Sequence, residues 1–295
     1  MSGAEALAAH LGNGVTTVAR AWEVRRKDGR RFGFTDHDLE LSFNGLVFRA
    51  DTGMSAAAVQ QGTGLSVDNS EAVGALSDTS VTEADIAAGR FDGAEVTAWL
   101  VNWADLSARK VLFRGSLGEI TRSGGAFSAE LRGLTEWLNR PLGRVFQSPC
   151  SAVLGDAGCR MDIDAAGLWI EATVTEVGPK GDLTLAGASG FEAGWFQRGR
   201  FTVLDGQAAG LWGVIKRDVL LEDGTRQIDL WEPLRASLVE GDRIKLIAGC
   251  DKRFETCRTK FDNLINFQGF PDIPQEEWVL IHPTAARSRT GGSLR

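Results

Sequence analysis

The sequence predicts a mainly β protein of two domains, each a β-barrel or sandwich with short helices, the second carrying a C-terminal four-cysteine metal site. Three observations predict this. Thirty-six glycines are spread along the 295 residues beside Asp, Asn and Ser, where they punctuate short apolar runs instead of gathering in a linker. Asp-Gly and Asn-Gly pairs stand between alternating segments, which is the chemistry of tight hairpins. The four cysteines fall in two pairs, Cys150 with Cys159 and Cys250 with Cys257, at either end of the second run of strands. A chain of 295 residues is long enough for about two cores. The expected division is 1–140 for the N-terminal β domain, 141–283 for the second β domain with the cysteine loops, and 284–295 for a flexible tail.

In chain order, residues 1–11 read as a short helix with Ser2 as N-cap and Leu7, His10 and Leu11 at helical spacing, ended by Gly12-Asn13-Gly14. Strands over 16–25 and 31–35 flank Lys27-Asp28-Gly29 as a hairpin, and strands over 39–43 and 46–49 flank Asn44-Gly45 as a second. Between the hairpins lies Thr35-Asp36-His37-Asp38. Adjacent residues of an extended segment point to opposite faces, so His37 cannot share a face with its two carboxylate neighbours; a polar connection with Asp side chains bonding the backbone is expected. Residues 56–78 are small, polar and unassigned, including Gly62-Thr63-Gly64 and Val67-Asp68-Asn69. Thr82-Glu83-Ala84-Asp85 has capping-box spacing before a helix that stops at Gly89. Strands over 96–103, 110–117 and 126–131 follow, the last two joined at Ser123-Gly124-Gly125, then a helical turn over 133–139.

The second domain opens on a turn-rich loop over 141–161 that carries Cys150 and Cys159. Strands are expected over 169–177, 183–186, 201–204, 211–219 and 227–230, with Asp205-Gly206 and Asp223-Gly224 as turns. A last strand over 243–248 leads directly to Cys250. The stretch 261–274 alternates aromatics with turn formers and suits neither a long helix nor a long strand, and the basic, polar 284–295 is expected to be disordered alone.

Composition narrows the function. A net charge of −7 disfavours a general nucleic-acid binder, which needs clustered Lys and Arg. No run of eighteen apolar residues is present to span a membrane as a helix. The chain lacks a Gly-x-Ser-x-Gly elbow, a phosphate loop, a dinucleotide fingerprint and His-Glu-x-x-His; Gly187-Ala188-Ser189-Gly190 is a turn. With His10, His37 and His282 as its three histidines, it offers no supported catalytic group, so no enzyme is expected.

The four thiols have several possible fates. Buried free cysteine packs as a small hydrophobe, but both pairs lie among Gly, Asp and Arg. Disulfides suit a secreted chain, whereas residues 1–20 have no basic start, apolar run and cleavage site; a reducing cytoplasm is expected. A metal site on Cys150, Cys159, Cys250 and Cys257 then leaves zinc and an iron-sulfur cluster. Structural zinc favours gaps of two to four residues, while the gaps here are eight and six; a wider cluster tolerates more open loops. Arg160, Arg258, Lys252, Arg253 and Lys260 crowd these loops and are expected to lower thiol pKa values.

The C-x8-C and C-x6-C pairs look like the four cluster ligands of the lambda-type minor tail protein of the phage tail tip. The run Cys250-x6-Cys257-x5-Asn263-x2-Asn266-Phe267-x-Gly269-Phe270-Pro271 resembles tail proteins of prophages and gene transfer agents of alphaproteobacteria. The Asp28-Gly29 hairpin with Thr35-Asp36-His37-Asp38 and Asn44-Gly45 is similar to the same family, more loosely. What this resemblance implies is a structural tail hub, homotrimeric, that forms a ring between the distal tail protein and the baseplate or central fibre protein. Tape measure and then DNA would pass through its channel without specific binding. It also implies a 4Fe-4S cluster on the four cysteines, with zinc as the alternative metal, and a location at the tail tip of a particle assembled in the bacterial cytoplasm. An iron-sulfur redox or regulatory enzyme, or a cell-wall hydrolase of the tail, would need a substrate pocket or catalytic pair for which the residues offer no motif.

Overall fold

A computed structural model describes residues 2–50, 55–56, 69–75, 81–123, 126–133, 143, 145–165, 167–179 and 181–273. The chain divides into two compact units, Met1–Pro141 and Leu142–Arg295.

In the first unit, helix α1 (Gly3–Leu11) starts where Ser2 accepts the Glu5 N–H at 3.4 Å and Glu5 accepts the Ser2 N–H at 2.7 Å. Both halves of a capping box are therefore closed. Nine strands follow: β1 (Val18–Arg25), β2 (Arg31–Thr35), β3 (Leu41–Phe43), β4 (Leu46–Arg49), β5 (Ser55–Ala56), β6 (Asn69–Ala75), β7 (Glu95–Asn102), β8 (Arg109–Ser123) and β9 (Ala126–Gly133). They form one sheet in the order β3-β4-β2-β1-β7-β8-β9-β6-β5, which corrects the expected barrel or two-sheet sandwich.

The reason lies in β1, an interior strand of this sheet. Trp22 and Val24 of β1 join a core with Phe34, Val96 and Ala98, covered by Ile86 of the short helix α2 (Glu83–Ala87) and by Phe91. Ala19 and Ala21, on the alternate positions, join a separate core with Phe43, Phe48 and Val101. With both faces of β1 buried in this way, the sheet needs no second sheet to cover it.

Both expected hairpins form, with Asn44 and Gly45 at φ of 53° and 67°, the left-handed values a two-residue turn requires. The sequence did not foretell that β2 and β4 pair in parallel, Gly33 opposite Phe48. A Cβ on Gly33 would lie 2.5 Å from the Val47 carbonyl, so the approach depends on glycine. At α2, the Thr82 hydroxyl accepts the Asp85 N–H at 3.1 Å, but Asp85 pairs with Arg26 and Arg90 instead of closing the box. The Thr35–Asp38 connection is polar as expected: Asp36 accepts the Arg20 N–H at 2.6 Å, and the His37 ring accepts the Leu39 N–H at 3.0 Å. The segments at 62–64 and 67–68, the Gly124-Gly125 turn, His282 and the 284–295 tail lie outside the described residues, as does the helical turn expected over 133–139 except for Gly133, which ends β9.

The second unit is built on a closed antiparallel barrel of β10 (Trp169–Val177), β11 (Leu183–Ala186), β12 (Arg200–Val203), β13 (Trp212–Leu220), β14 (Arg226–Leu230) and β15 (Arg243–Ile247), in the order β10-β11-β14-β13-β12-β15. Val174, Leu185, Phe201, Ile215, Ile228, Ile244 and Leu246 fill it, and closure leaves no strand edge exposed. Arg226 and Asp218, both wholly buried, form an ion pair at 2.6 Å within this core. Helix α3 (Phe254–Thr259) was not foreseen; it lies in the second cysteine stretch and carries Cys257. Among the described residues no helix is long and apolar enough to cross a membrane.

Candidate metal centre

Barrel closure decides where the cysteines go. β10 and β15 are antiparallel neighbours, with Trp169 opposite Ile247, so the start of the first and the end of the last lie side by side. The loop that leads into β10 carries Cys150 and Cys159, and the chain leaving β15 carries Cys250 and Cys257. Both pairs therefore emerge at one end of the barrel. The Cys150 N–H donates to the Lys252 carbonyl at 2.9 Å, and Ala248 donates to the Leu168 carbonyl at 2.7 Å, lacing the two loops together.

Each thiol is set by its own local device. The Asp156 carboxylate accepts the N–H groups of Val153 at 2.7 Å, Gly158 at 2.9 Å and Cys159 at 2.7 Å. These donors, the Cys159 N–H foremost, hold its carboxyl below the usual carboxylate range. Cys257 lies on α3, its N–H on the Arg253 carbonyl at 3.1 Å and its thiol donating to the Asn263 carbonyl at 3.4 Å. Cys250 packs with Leu168, Ala248 and Phe261 in a small apolar cluster beneath the loops.

All four half-buried cysteines line one cavity with Phe261, Asn263 and Phe267, and among the described residues no carboxylate or imidazole joins them there. Burial pushes the Cys257 thiol up to about 11, with the other three cysteines adding repulsion. Burial likewise raises Cys250, with Lys252 opposing it. This corrects the expectation that the basic residues lower the thiol pKa values: desolvation wins at both groups. The cations have other partners as well: Lys260 donates to the carbonyls of Trp195 at 2.6 Å and Gly249 at 2.9 Å, Arg258 to Glu255 at 2.6 Å, and Lys252, which lines the cavity, to the Ala152 carbonyl. Among the described residues no three His, Cys, Asp or Glu side chains are grouped as ligands of a single ion. The four-cysteine metal site expected from the sequence is therefore not formed as a ligand group in this structure; the four thiols line a common cavity, and thiols are the donor type that thiophilic metals take.

Sequence reasoning missed Asp156 and Gln268, and it named Asn263 only as part of the resembling run, without its contact to Cys159. An Asp three residues before a cysteine is a legible turn signal, whereas contacts from Asn263 to Cys159 span 104 positions and leave no local mark. Replacing Asp156 by Ala is expected to free three loop N–H groups and speed amide exchange at Gly158 and Cys159 about tenfold, with the barrel strands unchanged. Hydrogen-exchange mass spectrometry of the variant checks this; equal protection would show that the loop is held by other contacts.

A family model described as "Baseplate hub protein, N-terminal attachment domain" matches residues 4–162, and one described as "Phage conserved hypothetical protein BR0599" matches residues 194–277. The first match contains Cys150 and Cys159, the second Cys250 and Cys257. No curated protein matches the sequence. Among solved structures, the chain is similar to one from the virion of a native gene transfer agent particle, at 55% identity and a TM-score of 0.91, over 99% of this chain and 100% of that one.

Proposed function

We propose, from the premise that this chain belongs to the baseplate hub protein family, that it is the hub of a tail tip whose second unit is fastened by a 4Fe-4S cluster on Cys150, Cys159, Cys250 and Cys257. It is a structural protein of the tail of a phage-like particle. In the proposed arrangement three copies form a ring that joins the distal tail protein to the baseplate or central fibre protein and surrounds the DNA exit channel. The observation that carries this reading is the likeness, over both chains' length, to a chain of a native gene transfer agent virion.

The four thiols, from two loops at one end of the barrel, line one cavity and are the donor type a cluster uses; the long gaps between paired cysteines are the argument for a cluster over a single zinc ion. When bound, such a cluster supplies four coordinate bonds that cross-link the two loops. The chain's own residues do the rest: Asp156 shapes the first loop, α3 presents Cys257, and Phe261 and Phe267 help exclude water. A link between residues far apart in sequence restricts the unfolded chain strongly, so metal binding and folding of this unit are coupled.

Deleting the gene from the producing strain is expected to leave heads and tail tubes without a finished tip, visible by electron microscopy, and to abolish DNA transfer. Particles with complete tips would overturn the hub assignment. Native mass spectrometry of the purified chain checks the ring, with a trimer expected; a strictly monomeric chain that also stays monomeric in the particle would overturn it.

A further inference from the structure

The segment 263–269 sits outside the cysteine pairs, yet it touches three of the four cysteines. The Asn263 carbonyl accepts the Cys257 thiol at 3.4 Å. Its side-chain amide donates to the Cys159 carbonyl at 2.7 Å and approaches the Cys159 Sγ at 3.6 Å. The Gln268 N–H points at the Cys150 Sγ from 3.4 Å. Asn263 is itself buried, and Asn266 donates to its Oδ1 at 2.7 Å, which fixes the amide with its N–H groups toward Cys159. Gly269 ends the segment where a Cβ would meet the Ser148 carbonyl at 2.5 Å, so the chain passes hard against the first cysteine loop.

We infer that this segment is a collar of hydrogen-bond donors for the metal-bound sulfurs, with Asn263 as its positioning residue, oriented by Asn266. The inference rests on the proposed metal centre. N–H groups directed at sulfur stabilise thiolate charge, slow ligand loss and raise the reduction potential of a cluster. In the metal-bound site Cys257 no longer has a proton to give the Asn263 carbonyl. The amide on Cys159 and the Gln268 N–H remain as the donors. No step of electron transfer is required; the collar acts on how firmly the sulfurs are held.

The test uses the full chain, purified without air as wild type, Asn263→Asp, Asn263→Ala and Asn266→Ala. Asn263→Asp keeps the shape and replaces the donor by an acceptor. Iron, zinc and sulfide content, the rate of metal release to a chelator, and the midpoint potential are measured, with the barrel's thermal transition as a control for folding. Expected are wild-type metal content at isolation, release about tenfold faster in both Asn263 variants, a smaller acceleration in Asn266→Ala, and midpoint potentials displaced to more negative values. Equal release rates and equal potentials in all four proteins would overturn the collar while leaving the metal centre standing. A wild-type chain that holds no metal would overturn the centre and the collar together. Zinc without sulfide would remove the cluster alone, and the release rates would still decide the collar. If Asn263→Asp does not fold, Asn266→Ala decides: release at the wild-type rate overturns the inference.

Discussion

Replacing Arg226 by Met is expected to destabilise the second unit by about 3–5 kcal/mol, the usual cost of removing one partner of a buried ion pair. Both side chains are fully buried. The Arg226 guanidinium donates to both Asp218 oxygens, at 2.6 and 2.7 Å, and to the carbonyls of Ala188, Glu192 and Phe191, while lying over the Phe196 ring. Asp218 also accepts the Phe196 N–H at 2.8 Å. Methionine fills much of the volume but leaves a carboxylate in an apolar barrel with one remaining donor, and three carbonyls with none from this side chain. The loss reaches the cysteine region, because this pair anchors the loop that contains Trp195, whose carbonyl accepts Lys260 and which packs, like Cys250, against the Leu168, Ala248 and Phe261 cluster. Denaturant unfolding of the full chain, followed by hydrogen exchange in the barrel strands, checks the figure. A double replacement, Asp218→Leu with Arg226→Met, is expected to recover most of the stability. An Arg226→Met chain that unfolds with the wild type would show that the pair is dispensable.

Replacing Cys250 by Ser is expected to lower iron and sulfide per chain roughly tenfold and to prevent formation of infectious or gene-transferring particles. A hydroxyl is a poor ligand for a thiophilic metal, and three remaining thiols complete neither a four-thiolate cluster nor a four-thiolate zinc site. Cys250 follows β15 with two residues between, so in the proposed centre it is the ligand that ties the barrel's last strand to the first cysteine loop. Metal and sulfide analysis of protein purified without air, with transfer assays on the mutant strain, measures both effects. Normal particles from that strain would overturn the structural role proposed for the centre, and a colourless wild-type chain carrying zinc alone would overturn the proposed iron-sulfur cluster.

Much of the strand pattern was legible because its signals are local. Asp28-Gly29, Asn44-Gly45, Asp205-Gly206 and Asp223-Gly224 fall between strands as expected, since a left-handed or tight turn restricts the residues that can occupy it. The fate of the first unit was not legible. The burial of both Trp22 and Ala21, neighbours on β1, depends on what covers each face, and the parallel pairing of β2 with β4 follows from the close approach at Gly33. The raised thiols went the same way: counting cations near Cys250 and Cys257 in the chain ignores burial, which outweighs them.

By itself the sequence determined a turn-rich, mainly β chain, the two cysteine pairs and the shortage of catalytic groups, because each of these is a matter of residue type and short spacing. Only the tertiary structure decided that the loops carrying the two pairs lie side by side. Closing the barrel through β10 and β15 brings residues about a hundred positions apart to one rim, and it lets Asn263 reach Cys159. Which strand closes a barrel depends on the summed packing of all six strands, a quantity that no single stretch of chain contains.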